Sequence, residues 1–247
     1  MRTATLDIGN TAVKYGYFEG NELRYRATGQ TLAEVLALVQ LHQPTHAIVA
    51  SVAEPTTDWA AALRPLVPGK VLELASATTP LPLRNGYATP HTLGADRLAA
   101  AVGAAWLHPG QDVLVIDAGT AIKCDFVEGG HTFRGGSIGP GLRLRFQALH
   151  TFTGRLPLLE VPNAPSLAVP LIGDDTQSAI RSGVLNGAAA EVNGLIDTYR
   201  AQYPGVAVLL TGGDAGFFQP RLKGYIFAIP ELVLLGLHRI LVHNVEN

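Results

Sequence analysis

With 247 residues, a formal net charge of −2, 47% hydrophobic and 15% charged residues, the chain can bury one large core or two smaller ones, and disorder is excluded. Its charge gives no electrostatic footprint for nucleic acid or for an anionic membrane surface. The single cysteine, Cys124, excludes an intramolecular disulfide and any cysteine-built metal site, which fits a reducing compartment.

The chain goes straight into strand pattern without a basic and apolar leader, so no signal peptide is expected and a cytoplasmic location is. Residues 5–18, TLDIGNTAVKYGYF, read as strand, tight turn, strand: apolar as far as Asp7 and Ile8, turning through Gly9-Asn10-Thr11, and leaving through Ala12, Val13 and Lys14. Glu22–Ala27 alternates and adds a third strand. Leu32, Val35, Leu36 and Val39 repeat at helical spacing up to Leu41. His46–Ser51 then reads as a buried strand, Asp58–Leu66 as a short helix ending at prolines, and Val71–Leu74 as another strand. Antiparallel strands followed by alternating helix and strand predict a mixed sheet.

Residues 75–93 are rich in Thr, Pro and small residues and read as loop, carrying Tyr87. Gly94-Ala95-Asp96-Arg97 opens an Ala-rich helix through Leu98, Val102, Ala105 and Trp106. A carboxylate at a helix start is favoured by the helix dipole and commonly caps it, so Asp96 has an ordinary structural reading as well as a functional one. Arg97 resists the structural reading, because a cation there wants an anionic partner.

Residues 115–127, VIDAGTAIKCDFV, repeat the first hairpin. Asp117 falls where Asp7 was and Gly119 where Gly9 was, while Thr120-Ala121-Ile122-Lys123 repeats Thr11-Ala12-Val13-Lys14 with the turn one residue shorter. The aspartates lie 110 positions apart (117 minus 7), about one domain's length, so two domains, 1–110 and 111–247, are expected. In each copy a glycine permits positive φ and uncovers backbone N–H groups, which with Thr or Asn suits phosphate oxygens. The aspartate repels phosphate unless a cation lies between them or a hydroxyl must lose its proton. Two such tips facing across a cleft would hold a nucleoside triphosphate and its metal; the alternative is that Asp-x-Gly is an ordinary turn.

Beyond this hairpin, His131–Ser137 reads as a strand running into the glycine-rich 135–141, whose spacing fits neither a dinucleotide loop nor a Walker loop. A helix is expected over Leu142 to His150, then a four-proline loop or lid over Pro157–Asp174. A long helix follows from Asp175-Thr176 to about Tyr199; Gly183, Gly187 and Gly194 along it suggest a helix contact inside the domain or a dimer seam. Val206–Leu210 is a strand ending in Thr211-Gly212-Gly213-Asp214, a glycine turn of the kind that binds ligands at strand ends or simply leads into a helix. The last helix, Glu231 to Val242, is expected to close the second domain. Its apolar run, Leu232 to Leu237, is too short to span a membrane.

Asp7-Ile8-Gly9-Asn10-Thr11 with Lys14, Tyr87, Gly94-Ala95-Asp96-Arg97, Asp117-Ala118-Gly119-Thr120, Gly135-Gly136-x-Ile138-x-Pro140-Gly141 and Thr211-Gly212-Gly213-Asp214, in this order, resemble the type III pantothenate kinases. The resemblance implies an α/β, duplicated actin-like (ribonuclease H-like) two-domain fold, with mixed sheets flanked by helices and a central nucleotide cleft. It implies phosphorylation of pantothenate by ATP, the first committed step towards coenzyme A, in a homodimer needing Mg²⁺ and a monovalent cation, K⁺ or NH₄⁺. By position, Asp7 to Lys14 would wrap the ATP phosphates with Asp7 near Mg²⁺, and Thr120 would contact the nucleotide. Asp117 would belong to the monovalent cation site. Gly94, Ala95, Asp96 and Arg97 would bind pantothenate, with Asp96 as proton acceptor, and Tyr87 and Thr176 would line that pocket. Lys123-Cys124 stands where the resemblance leads one to expect Thr and an apolar residue. The same fold also admits a kinase for a sugar or acetate, or an ATP-binding regulatory protein without transfer; intact Asp96 and Arg97, and the lack of a basic stripe, weigh against the latter.

Overall fold

The computed structural model describes residues 1–162 and 168–247. They divide into two compact units: Met1–Gln111 with Val127–Gly135 and Glu231–Asn247, and Asp112–Phe126 with Gly136–Pro230. The expected loop over 157–174 contains residues 163–167, which lie outside the described residues.

In the first unit, strands β1 (Arg2–Ile8), β2 (Val13–Glu19) and β3 (Glu22–Thr28) form two successive hairpins, because their connections are too short for a crossover. Helix α1 (Leu32–His42) then carries the chain to β4 (His46–Ser51), parallel to β1, and α2 (Thr57–Leu63) carries it to β5 (Val71–Glu73), parallel to β4. Helix α1 starts where Thr31 and Glu34 satisfy each other's backbone N–H groups in a capping box and stops at Gln43, in the left-handed region at φ 47°. The sheet order is β3-β2-β1-β4-β5, mixed as predicted. Ala4, Leu6, Ile8, Val35, Val39, Val49 and Leu63 fill the core on its helix side. Strand β6 (Arg84–Asn85) and a 3-10 turn, Pro90–Thr92, break up the predicted loop and lead into α3 (Ala95–Leu107).

The second unit repeats this plan. Strands β7 (Val113–Ala118) and β8 (Ala121–Glu128) are neighbours joined by two residues, which only an antiparallel hairpin permits. After β9 (Thr132–Pro140) come α4 (Leu142–Thr151), α5 (Thr176–Arg181), a π-turn over Ser182–Asn186 and α6 (Gly187–Gln202). Strand β10 (Ala207–Thr211) lies parallel to β7, and β11 (Phe227–Ala228) lies parallel to β10 beyond the short α7 (Ala215–Phe218). The order β9-β8-β7-β10-β11 is that of β3-β2-β1-β4-β5. The duplication seen in the two hairpins therefore extends through both sheets. Residues 127–135 of this hairpin count with the first unit, where Arg84 and Asn85 pair with Thr132 and Phe133.

One expectation is corrected and two are refined. The last helix, Leu232–Glu246, packs in the first unit, against α3, and does not close the second. A Cβ on its Gly236 would overlap the carbonyl oxygen of Ala99, so the two helices meet backbone to backbone, and Ala99, Ala100, Ala101, Val102, Gly103 and Ala104 are all buried. The strand expected over His131–Ser137 continues through the glycine-rich stretch to Pro140, and at Gly136 the missing side chain lets it lie against the Cys124 carbonyl. Along the long helix, Gly183, Gly187 and Gly194 face open space, so they make no close helix contact inside the unit.

Candidate active site

Asp7 and Lys14 are opposed in the register of β1 and β2, which places both side chains on one face of the hairpin. Asp7 is only 4% exposed, and Lys14 Nζ lies 3.4 Å from its Oδ2. A buried carboxylate needs such a counter-charge, and a lysine on a flexible stem can exchange it for another anion. The tip itself differs from expectation. Gly9 does not adopt positive φ, and its N–H donates to Ala12 O at 3.2 Å, so it is committed within the turn. Asn10 and Thr11 stand exposed at the end.

Gly94 is the N-cap residue of α3 and makes no side-chain cap, so Asp96 is a first-turn residue and not the cap. Its Oδ1 accepts the Arg97 N–H at 2.8 Å, and a Cβ on Gly94 would come within 2.6 Å of the same oxygen. Arg97 is 5% exposed, with its guanidinium carbon 5.4 Å from the Tyr87 ring centroid and 5.9 Å from that of Phe133. Two aromatic faces thus flank a buried cation beside a half-buried carboxylate. Sequence reasoning missed Phe133; nothing local marks a strand residue that far along the chain as a neighbour of Arg97.

These two segments belong to one end of the first sheet. Val52 donates its N–H to Ile8 O at 3.1 Å, at the carboxyl ends of β1 and β4, and a Cβ on Gly94 would lie 3.7 Å from Val52 Cγ1. The carboxyl ends of parallel strands are where α/β sheets take ligands.

In the second unit the corresponding end is more crowded. Lys123 Nζ is 2.7 Å from Asp117 Oδ2, and their side chains are 14% and 16% exposed. Gly119 donates to Ala121 O at 3.1 Å and, like Gly9, has no positive φ. Gly141 donates to Thr120 O at 3.1 Å, and Asp214 donates to Ala118 O at 2.8 Å. The two glycine segments singled out in the sequence therefore both converge on the second hairpin tip, with Thr120 exposed at its end. Gly212 is required there. Its φ is +96°, and a Cβ would overlap Ala118 O and come within 2.6 Å of Asp117 Oδ1. Burial raises the Asp214 carboxyl above the ordinary carboxylate range. Thr176 lies exposed in the first turn of α5, whose cap is Asp175, accepting from the N–H groups of Gln177 and Ser178.

No cluster of three or more His, Cys, Asp or Glu side chains among the described residues is arranged to hold a metal ion. Mg²⁺ in phosphoryl-transfer sites is held by one or two carboxylates together with phosphate and water. Asp7, at a strand end, fits such a partial ligand.

A family model for type III pantothenate kinase matches residues 4–198. Type III pantothenate kinases of Cytophaga hutchinsonii and Bacteroides fragilis (strain ATCC 25285) are 44% and 45% identical, each aligned over 97% of this chain and 98% and 97% of their own lengths. Among solved structures, a Campylobacter jejuni protein named for the Baf family of transcriptional activators superposes with a TM-score of 0.65 at 20% identity, covering 99% of this chain and all of its own. A ROK hexokinase from Thermus thermophilus follows the same fold at a TM-score of 0.54 and 16% identity, covering 99% of this chain and 100% of that one.

Proposed function

This chain belongs to the type III pantothenate kinase family, and from that premise we propose that it transfers the γ-phosphoryl group of ATP to the primary hydroxyl of pantothenate, the first step of coenzyme A biosynthesis. The observation that carries the reading is identity of 44–45% along essentially the whole chain and the whole of each relative, where the other structural likenesses speak for fold alone.

The residue roles proposed are those that membership of the family implies by position, and the arrangement of each unit supports them. In the first, residues 7–14 (Asp7, Ile8, Gly9, Asn10, Thr11, Ala12, Val13, Lys14) hold the ATP phosphates, with Lys14 turning from Asp7 to phosphate and Asp7 serving Mg²⁺. The ion, when bound, neutralises charge on the transferring group. Gly94 and Ala95 bring the substrate to the start of α3, Asp96 accepts the proton of its hydroxyl, and Arg97 with Tyr87 receives its carboxylate. Thr120 of the second unit contacts the nucleotide, and Thr176 contacts pantothenate. The two functional halves are the expected 1–110 and 111–247, with the C-terminal helix transferred to the first.

For the monovalent cation that the resemblance attaches to Asp117, the donor set does not fit, because Lys123 already neutralises that carboxylate. A homodimer is supported by the exposed row Gly183, Gly187 and Gly194, with sedimentation velocity as its check. A cytoplasmic location is supported by the ATP requirement and by Cys124, whose burial pushes its thiol up to about 12 and leaves it inert. No helix of the described residues is long and apolar enough to cross a membrane. Pantothenate-dependent release of ADP tests the assignment. Equal or greater release with glucose, N-acetylated hexosamines or acetate would sink it, as would unchanged ATP.

A further inference from the structure

The two hairpins carry equivalent Asp–Lys pairs, and the pairs differ in a way that assigns them different work. Lys14 is 34% exposed at 3.4 Å from Asp7, an open ion pair that can be exchanged for phosphate. Lys123 is 14% exposed at 2.7 Å from Asp117, a charge-assisted hydrogen bond with its ammonium less open to solvent than that of Lys14. Oδ2 of Asp117 is engaged by Lys123, and Oδ1 faces Gly212 so closely that a Cβ added there would come within 2.6 Å of it.

We propose that Lys123 is a built-in monovalent cation: its ammonium group stands where K⁺ or NH₄⁺ would neutralise Asp117, and the enzyme turns over without either ion. This rests on the reading of the chain as a pantothenate kinase. A primary ammonium is a compact point charge with three donors, the tethered counterpart of NH₄⁺. Tethering gives it a high effective concentration beside its carboxylate, so dissolved ions at ordinary concentrations do not displace it. Its consequence for the tip is structural. Asp117 is held in register with Thr211 across β7 and β10, and its neighbour Ala118 anchors the Asp214 N–H, so a neutralised Asp117 fixes the loops on both sides of Thr120.

The test is pantothenate-dependent ADP release by the wild-type protein, Lys123→Thr and Lys123→Met at matched ionic strength in chloride salts of K⁺, NH₄⁺, Na⁺ and tetramethylammonium. Thermal unfolding is followed in the same salts. We expect wild-type rates to agree within about a factor of two across the salts, and Lys123→Thr to lose about tenfold or more in Na⁺ and recover in K⁺ or NH₄⁺. Its melting temperature should rise with K⁺ over Na⁺, and that of wild type should not. Stimulation of the wild type by about tenfold in K⁺ overturns the proposal. So does a Lys123→Thr protein equally active in every salt. If Lys123→Thr does not fold, Lys123→Met, which keeps the stem and removes the charge, must be slowed in every salt; undiminished turnover overturns the proposal. If no protein releases ADP with pantothenate in any salt, the kinase reading fails, and the melting comparison still decides whether Lys123 replaces a cation.

Discussion

Asp7 and Asp96 are both carboxylates at the ends of regular elements, and their surroundings differ. Asp7 is buried, with Lys14 as its counter-charge 3.4 Å away. Asp96 is half-buried and takes a backbone N–H, which fixes its orientation at the head of α3. In phosphoryl transfer most of the acceleration comes from positioning and charge neutralisation, and a positioned base adds about 10²–10⁴-fold. Asp96→Asn should lower kcat by about that factor. ATP should still bind, as measured by calorimetry; a variant with near-normal turnover would remove Asp96 from the role of base. His238 makes a second prediction at this scale. It is fully buried, stacks on Phe18 at 4.3 Å and bonds Thr3 Oγ1 through Nδ1 at 2.8 Å. Burial, with help from Arg239, lowers it from an ordinary 6.5 to about 4. Stability is therefore complete above pH 6.5 and is lost as pH falls from 6.5 towards 4, while the unfolded chain gains a proton that the folded chain refuses. The loss at pH 5 is about 2 kcal/mol. Urea unfolding at pH 7 and 5 should show it, and His238→Gln should lose about that much less; equal losses would place the titration elsewhere.

At the scale of elements, the turns and the helix faces carried most of the legible signal. The strand pairs around Gly9 and Gly119 could be read because a short connection between two apolar runs allows only a hairpin. Glycine was harder to read. Gly135 and Gly136 fall inside the predicted strand, but its continuation to Pro140 was not legible, because a missing Cβ permits close packing as readily as it permits a turn. The same ambiguity governs Gly236, where the C-terminal helix touches α3 at Ala99. A methyl group there has no room, so Gly236→Ala must push the helices apart and should cost about 1–3 kcal/mol in chemical denaturation. The equivalent change at Gly187, which meets open space, should be close to neutral or slightly stabilising in an isolated chain. Similar midpoints for the two variants would show that the helix pair is looser than its contact implies.

At the scale of the molecule, the chain leaves its first unit after Gln111 and returns to it for its last residues. The first core is therefore complete only when the C-terminal helix is in place. Leu232, Leu237, Ile240 and Leu241, all fully buried, belong to that helix. A chain ending at Pro230 should expose α3, an Ala-rich helix that buries nearly every face, and should not unfold cooperatively when followed by circular dichroism. A sharp transition at an unchanged midpoint would contradict the division of units. By itself the sequence determined the duplicated hairpins, the alternation of helix and strand behind them, and the residues with chemistry to offer, because hydrophobic period, turn residues and an internal repeat are local properties of a chain. Only the tertiary structure decided that Lys123 closes on Asp117, that Phe133 walls Arg97, that both glycine segments meet the second tip, and to which core the last helix belongs. Those are contacts between residues far apart in the chain, and which distant neighbour a side chain meets is set by the packing of whole elements and not by any period along the sequence.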